Sequence, residues 1–157
     1  CHAGAGAVRR AGMTRRIDVS EVAPAGFRAV LGLEKYVSGA VDHTVLRLVK
    51  TRASMINGCT YCIHMHTNDS LKAGESIDRL FGLAAWHEAP FYDEAERAAL
   101  GLTDAVTRLE EGGVPDDVWD PAVKHWGEEG AANLLLAIAT INVWNRIAIT
   151  CRTPPGA

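Results

Sequence analysis

Apolar residues recur at the helical period along most of the chain, and this pattern restricts it to an all-α fold. Between Asp93 and Glu111 the apolar side chains follow the 3.6-residue period, and Gly112-Gly113 ends the segment; they are Ala95, Ala98, Ala99, Leu102, Ala105, Val106 and Leu109. Alternating β-branched runs around an Asn-Gly turn, the usual sign of a β-hairpin, are absent from the sequence. The sequence therefore predicts a single domain built as a helical bundle.

Capping and terminating residues divide the middle of the chain into further helices. Asp42 or Thr44 can cap one helix, which Asn57-Gly58 ends, and the next helix is expected from about Cys59 to Gly74. These boundaries place the first thiol of a Cys-x-x-Cys pair at the start of a helix.

Capping and terminating residues also divide the second half of the chain into helices. Ser76 can cap a helix that Pro90 closes, and Pro115 can open another. A loop near residues 127 to 130 is expected before a long apolar helix, Ala131 to Ile149. Asparagines and an arginine interrupt the apolar character of that helix, which indicates a core or subunit-interface helix rather than a membrane span.

Composition narrows the range of partners and compartments. The 157 residues carry 48% hydrophobic side chains and a net charge of -3, and the pI is about 6.1. These values suit one globular domain and argue against nucleic acid or a membrane surface as a partner. Four cysteines are too few for a disulfide scaffold, and residues 1 to 10 lack the apolar run of a secretory signal. A cytoplasmic location is expected.

The N-terminal residues differ from the rest of the chain. Residues 1 to 16 are interpreted as an N-terminal extension, of which residues 1 to 12 are either a natural extension or a remnant that is not native to the protein. The domain is then expected to span residues 17 to 157.

Two thiols and an imidazole share one face of the helix that begins near Cys59. Cys59, Cys62 and His66 stand three and four residues apart, so their side chains can reach a common point. A helix N-terminus favours an anion, and Cys-x-x-Cys motifs lower a thiol pKa from about 8.5 to roughly 3.5 to 7.5. The grouping indicates redox chemistry, in which a thiolate attacks a peroxide, the second thiol forms a disulfide, and His66 moves protons.

The spacing alone also allows a structural cysteine pair or half of a metal site. A zinc site would need a fourth ligand beside Cys59, Cys62 and His66, with His43, His64 or Asp69 as candidates. Covalent haem attachment requires histidine directly after the second cysteine, where Ile63 stands. The redox interpretation is preferred, with no metal and no bound cofactor expected.

A polar group interrupts the long apolar helix at Trp144, Asn145 and Arg146. Buried asparagine and arginine need hydrogen-bond partners. We expect these residues to form a hydrogen-bond anchor at the wall of the site or between subunits, with Arg146 bound to a carboxylate.

Residues 49–67 (VKTRASMINGCTYCIHMHT) form a specific motif that resembles the alkyl hydroperoxidase D-like branch of the carboxymuconolactone decarboxylase family. The resemblance runs from about residue 17 to 156 and includes residues 73–75 (AGE), 83–86 (LAAW), 89–91 (APF), 96–100 (ERAAL), 114–116 (VPD) and 137–146 (AIATINVWNR).

This resemblance implies an all-helical fold assembled into trimers or hexamers and a thiol-dependent peroxidase that uses no metal or haem. It assigns peroxide attack to Cys62, resolution to Cys59 and proton relay to His66. It also implies a small hydroperoxide as substrate and a dithiol protein or cofactor as reductant.

One position departs from the family pattern. The family's relay commonly includes a glutamate twelve residues before the first cysteine, and Arg47 stands there. Arg47 can lower a thiol pKa but cannot act as a carboxylate base; His43, one helical turn earlier, is a candidate substitute. Two other functions therefore stay open: a redox-sensing or metal-binding module, and a decarboxylase-type enzyme with a vestigial dithiol.

Overall fold

A computed structural model describes residues 14–156, and within that range the chain is helical, with no β-strand. The helices are α1 (Val19–Val22), α2 (Pro24–Ala40), α3 (His43–Asn57), α4 (Thr60–Lys72), α5 (Ile77–Gly82), α6 (Glu94–Arg108) and α7 (Asp116–Cys151), with a short 3₁₀-helix at Leu83–Ala85. The prediction of an all-α chain is confirmed for this range. The interpretation of residues 1 to 12 as an extension or a non-native remnant lies outside the described residues.

Local capping chemistry explains where several of these helices begin. The Asp42 carboxylate accepts hydrogen bonds from the backbone N–H groups of Thr44 and Val45, at 2.9 and 3.1 Å, and so caps α3. Ser76 caps α5, while Asp93 and Glu96 form a reciprocal capping box at the start of α6. These three helix starts agree with the prediction from sequence.

Helix α7 differs from the prediction in one respect. The expected loop at residues 127 to 130 is reduced to a kink at Gly127, where φ is 70° and ψ is 171°. Glycine has no Cβ and adopts positive φ without strain, so a single residue redirects the axis. The break occurs where it was predicted, but helical hydrogen bonding continues on both sides of it.

The main core lies where α7 packs against α2, α3 and α6. Its buried residues come from all four helices and include Val37, Val45, Val49, Leu102, Leu134, Ala137 and Ile138. Among the helices of residues 14–156, α7 is the one that is long and apolar enough to cross a membrane, but half of its most apolar window is buried inside the protein. This burial agrees with the prediction of a core helix.

Candidate active site

The junction between α3 and α4 positions the two cysteines. Gly58 has a φ of 69° and turns the chain out of α3, after which the Cys59 N–H donates to the Ser54 carbonyl at 3.0 Å. Cys59 is the N-cap of α4, and its sulfur accepts a hydrogen bond from the Cys62 backbone N–H at 3.3 Å. The two cysteines form a disulfide with a Cα–Cα distance of 5.3 Å. The structure thus brings the predicted thiol pair together.

A cavity of about 540 Å³ is lined by Cys62 but not by Cys59. Both cysteines are 1% exposed, but Cys62 lines this cavity and Cys59 is turned toward the start of α4. Much of the remaining wall is apolar, with Phe27, Leu31, Leu46, Met65 and Ile147 contributing. A small apolar molecule in this cavity would therefore meet Cys62 rather than Cys59.

His66 lines the same cavity, one helical turn after Cys62. Its Nε2 atom is buried and has no hydrogen-bond partner among residues 14–156. Burial, together with the positive charge of Lys50, lowers the pKa of His66 to about 4, and the negative charges of Glu34 and Asp69 offset this only in part. The imidazole is therefore neutral at pH 7 beside the oxidised cysteines, with one ring nitrogen free to contact a ligand.

This protonation state predicts a pH-dependent stability for the oxidised protein. Unfolded His66 binds a proton near pH 6.5 and the folded form only near pH 4. Because the unfolded state binds more protons between these values, folding stability should fall as the pH drops from 6.5 toward 4, by on the order of 3 kcal/mol in total. Urea unfolding at several pH values measures the free energy of unfolding, and ring-proton NMR measures the pKa of His66.

The matched control is His66→Gln, which should lose this part of the pH dependence and keep the rest. Reduction supplies a second check. A Cys62 thiolate beside the ring would favour imidazolium, so the pKa of His66 should rise when the disulfide is reduced. Titration of His66 near 6.5 in the oxidised protein would contradict the assigned environment.

Arg47 and His43, the two residues considered for the proton relay, also line this cavity. His43 is the exposed first residue of α3, whereas the Arg47 Nε atom is buried and has no partner among the described residues. The Arg47 guanidinium makes one long hydrogen bond, 3.4 Å from Nη2 to the Thr44 hydroxyl. Arg47 therefore lines the cavity as a cation that has no ion-pair partner in the described part of the chain.

An ion pair between α2 and α3 forms another part of the wall. Lys50 is 7% exposed and pairs with Glu34, which also accepts a hydrogen bond from the Trp144 indole N–H at 3.1 Å. Although burial favours the neutral carboxyl, the hydrogen bonds from Lys50, Ser38 and Trp144 hold the pKa of Glu34 below its ordinary value. The pair joins three helices around the cavity.

Glu34 and Lys50 are not predicted by the sequence motifs. Lys50 does carry a signal, because it stands between Val49 and Thr51 and one turn after Leu46, inside the buried stripe of α3. A lysine in that position needs a buried acid. Nothing in the local sequence identifies Glu34 as that acid.

The predicted anchor at residues 144 to 146 divides into three different environments. Trp144 lines the cavity, but Asn145 is fully buried, where it accepts a hydrogen bond from the Asn57 side chain at 2.8 Å and donates one to the Ser54 hydroxyl at 3.0 Å. These bonds tie the end of α3 to α7 just before Cys59. Asn145 does not line this cavity, and it forms a buried hydrogen-bond anchor between α3 and α7.

Arg146 is also placed differently from the prediction. Its guanidinium is exposed and donates to the carbonyl and side-chain oxygens of Asn142, at 3.1 and 2.7 Å. The expected carboxylate partner is thus replaced by an asparagine one turn earlier in α7. Arg146 does not line the cavity.

Candidate metal ligands do not converge in the described range. Between residues 14 and 156, no group of three or more His, Cys, Asp or Glu side chains is arranged to hold a metal ion. His64, one of the candidates for a fourth ligand, is exposed on α4 and contacts the Asn68 side chain.

Comparisons with known proteins agree with this architecture. YdfG of Bacillus subtilis, an uncharacterised protein, is 40% identical over 138 residues, which cover 87% of this chain and 94% of YdfG. A crystal structure from Agrobacterium tumefaciens has a TM-score of 0.87 at 40% identity, covering 92% of this chain and 99% of that one. It is described as a protein of unknown function and suggested to be an AhpD antioxidant defence protein.

The debrominase Bmp8 shares the fold at lower identity. Its unliganded form has a TM-score of 0.75 at 21% identity and covers 85% of this chain and 73% of Bmp8. A cysteine-to-alanine variant bound to 2,3,4-tribromopyrrole gives a TM-score of 0.74 at 20% identity, with 86% and 73% covered. The sequence pattern of the Carboxymuconolactone decarboxylase family matches residues 23–105. With that match and the similarity to YdfG, the chain belongs to the carboxymuconolactone decarboxylase family, in its AhpD-like form.

Proposed function

We propose that this protein reduces hydroperoxides through the Cys59–Cys62 dithiol. The observation that carries the proposal is the pairing of the two cysteines beside a cavity that both Cys62 and His66 line. A peroxidase of this kind needs a reactive thiol that substrate can reach, a second thiol within bonding distance, and a group that handles protons. The site contains a candidate for each.

In the oxidative half of the cycle, the Cys62 thiolate attacks the terminal oxygen of the hydroperoxide. The S–O bond forms as the O–O bond breaks, and the leaving alkoxide takes up a proton to become an alcohol. Cys59 then attacks the sulfenic sulfur of Cys62, which forms the disulfide and releases water. We assign the transfer of this proton to His66, which lines the cavity and has a ring nitrogen without a hydrogen-bond partner among residues 14–156.

In the reductive half, an external dithiol returns both cysteines to thiols and is itself oxidised to a disulfide. The position of Cys59 favours attack on Cys62, because the helix N-terminus stabilises Cys59 as the departing thiolate. Cys62 is also the cysteine that the cavity reaches. The same sulfur is then attacked by the reductant and reacts with the oxidant, and no bound cofactor is required.

Stopped-flow mixing of the reduced protein with cumene hydroperoxide tests this cycle. We expect two thiols to be lost and one alcohol to be formed for each peroxide consumed, because both cysteines end in the disulfide. Thiol titration and chromatography of the product give the two counts. The control is the double variant Cys59→Ser/Cys62→Ser, which retains Cys151 and should consume no peroxide beyond the uncatalysed rate.

Three other outcomes would contradict the proposal. Disulfide formation without repeated turnover in the presence of excess dithiol would favour a redox-sensing module. Zinc retained at one equivalent per chain would favour metal binding. Lactone decarboxylation that survives the double substitution would favour the decarboxylase-type enzyme.

We further propose that the protein acts in the cytoplasm as a homo-oligomer. Apolar side chains remain partly exposed along α7, at 37 to 45% of their surface, and they are Leu135, Leu136, Val143 and Ile149. A row of partly exposed apolar side chains on one helix is suited to pack against a second subunit. Sedimentation of the purified protein measures the subunit number.

A further inference from the structure

Two buried polar atoms lack a hydrogen-bond partner within residues 14–156, and both belong to residues that line the same cavity. They are Nε2 of His66 and Nε of Arg47. A buried donor or acceptor without a partner is unfavourable, and in native proteins such groups are rare. Two of them at one cavity indicate a ligand that contacts both residues.

Arg47 differs in its ion pairing from Lys50 and Arg15, the other lysine and arginine side chains that line the cavity. Lys50 is paired with Glu34, and Arg15 is paired with Asp18 at 2.7 Å. Arg47 forms no ion pair with the described residues and has only its long bond to Thr44. The guanidinium is therefore available to an anion that enters the cavity, and its planar donors suit a carboxylate.

The wall around Arg47 is otherwise suited to an apolar body. Phe27, Leu46 and Ile147 line the cavity together with Arg47, and a volume of about 540 Å³ is in the range of small-molecule sites. A neutral alkyl hydroperoxide would fill the apolar part but leave Arg47 unsatisfied. An apolar hydroperoxide with a carboxylate would satisfy both.

We propose that the preferred substrate is an organic hydroperoxide that carries a carboxylate, with the carboxylate bound by Arg47 and the hydroperoxyl group at Cys62 and His66. This inference rests on the proposed peroxidase function and narrows its substrate class. It also gives a role to the arginine that replaces the family's relay glutamate. Arg47 binds the substrate, and proton transfer falls to other groups.

A matched pair of substrates tests the proposal: 4-(2-hydroperoxypropan-2-yl)benzoate and its methyl ester. They share the same O–O bond and apolar body and differ in the carboxylate charge. Hydrogen bonds to a charged group correspond to a preference of about tenfold to a hundredfold, so the carboxylate should oxidise the reduced protein at least about tenfold faster than the ester. Stopped-flow measurement gives both second-order rate constants.

Two variants test whether the positive charge of Arg47 binds the substrate or acts in another way. Arg47→Met should abolish the preference, because it should slow the reaction of the carboxylate at least about tenfold more than the reaction of the ester. Arg28→Gln removes the same charge from an exposed position on α2, away from the cavity, and should keep the preference. Thermal unfolding of each variant checks that the fold is retained.

Several results would overturn the inference. If the wild-type protein reduces both compounds at the same rate, it does not prefer a substrate that carries a carboxylate, and the inference is wrong. If Arg47→Met slows ester and carboxylate equally, Arg47 acts on the thiol rather than on the substrate. If neither compound is reduced, the peroxidase proposal fails, and calorimetry with 4-(2-hydroxypropan-2-yl)benzoate decides separately whether Arg47 forms an anion site. Equal binding by the wild-type and Arg47→Met proteins would then exclude that site.

Discussion

Replacing Cys62 with serine is expected to abolish peroxide reduction, with a loss of at least about 10³-fold in kcat/KM. The hydroxyl of serine is a far weaker nucleophile than a thiolate near neutral pH, and Cys62 is the member of the pair that lines the cavity. Peroxide consumption under excess dithiol measures the loss. The thiol of Cys59 should remain reduced after exposure to peroxide.

The partner variant, Cys59→Ser, should behave differently. Cys62 can still attack the peroxide, but no neighbouring thiol then condenses with the sulfenic acid. One thiol should be lost per peroxide, and dimedone should label Cys62 in a form that mass spectrometry detects. The reverse pattern, an inert Cys59→Ser protein and a labelled Cys59 in Cys62→Ser, would exchange the roles assigned to the two cysteines.

The largest effect on stability is expected from Asp104→Ala. Asp104 lies in α6 at 8% exposure and accepts hydrogen bonds from the Arg52 Nε and Nη2 atoms at 2.7 and 2.8 Å. Trp86 and Arg108 also donate to it. Removing this carboxylate leaves the buried Arg52 charge without a counter-ion, which should cost about 3–5 kcal/mol in the free energy of unfolding. Thermal and urea unfolding measure the change.

Two controls identify the cause of this loss. Arg108→Gln removes a half-exposed partner of the same carboxylate and should cost less than about 1 kcal/mol. The double variant Arg52→Met/Asp104→Leu removes both buried charges and should recover much of the stability lost in Asp104→Ala, since an apolar pair has no charge to leave unpaired. A double variant as unstable as the single one would show that packing, rather than the buried charge, dominates.

The helix starts could be predicted from sequence because their physical cause is local. Asp42, Ser76 and Asp93 each bind backbone N–H groups within three residues, so the pattern is visible in a short window. The break at Gly127 was placed correctly but predicted to be four residues long. One glycine at positive φ is sufficient there, and the sequence shows no difference between a kink of one residue and a short loop.

The candidate site also has one part with a local cause in the sequence and one part that depends on distant residues. Cys59, Cys62 and His66 lie within eight residues of one helix, so the helical period alone brings them together. The pair between Glu34 and Lys50, with the Trp144 bond to Glu34 across 110 residues of sequence, depends on how three helices pack. A single sequence contains the composition of those helices but no information on which polar groups meet. Arg146 illustrates the same limit, since its partner is the nearby Asn142 rather than a distant acid.

The orientation of the two sulfurs has a consequence for the order of events in a catalytic cycle. Cys62 lines the cavity described above, while Cys59 caps the start of α4 and does not line that cavity. Under the proposed cycle the oxidant and the reductant both react at Cys62, so the two molecules must enter this cavity one after the other. Steady-state kinetics should consequently be of the double-displacement type, with parallel lines in reciprocal plots. A large excess of either partner should slow the reaction by blocking the entry of the other.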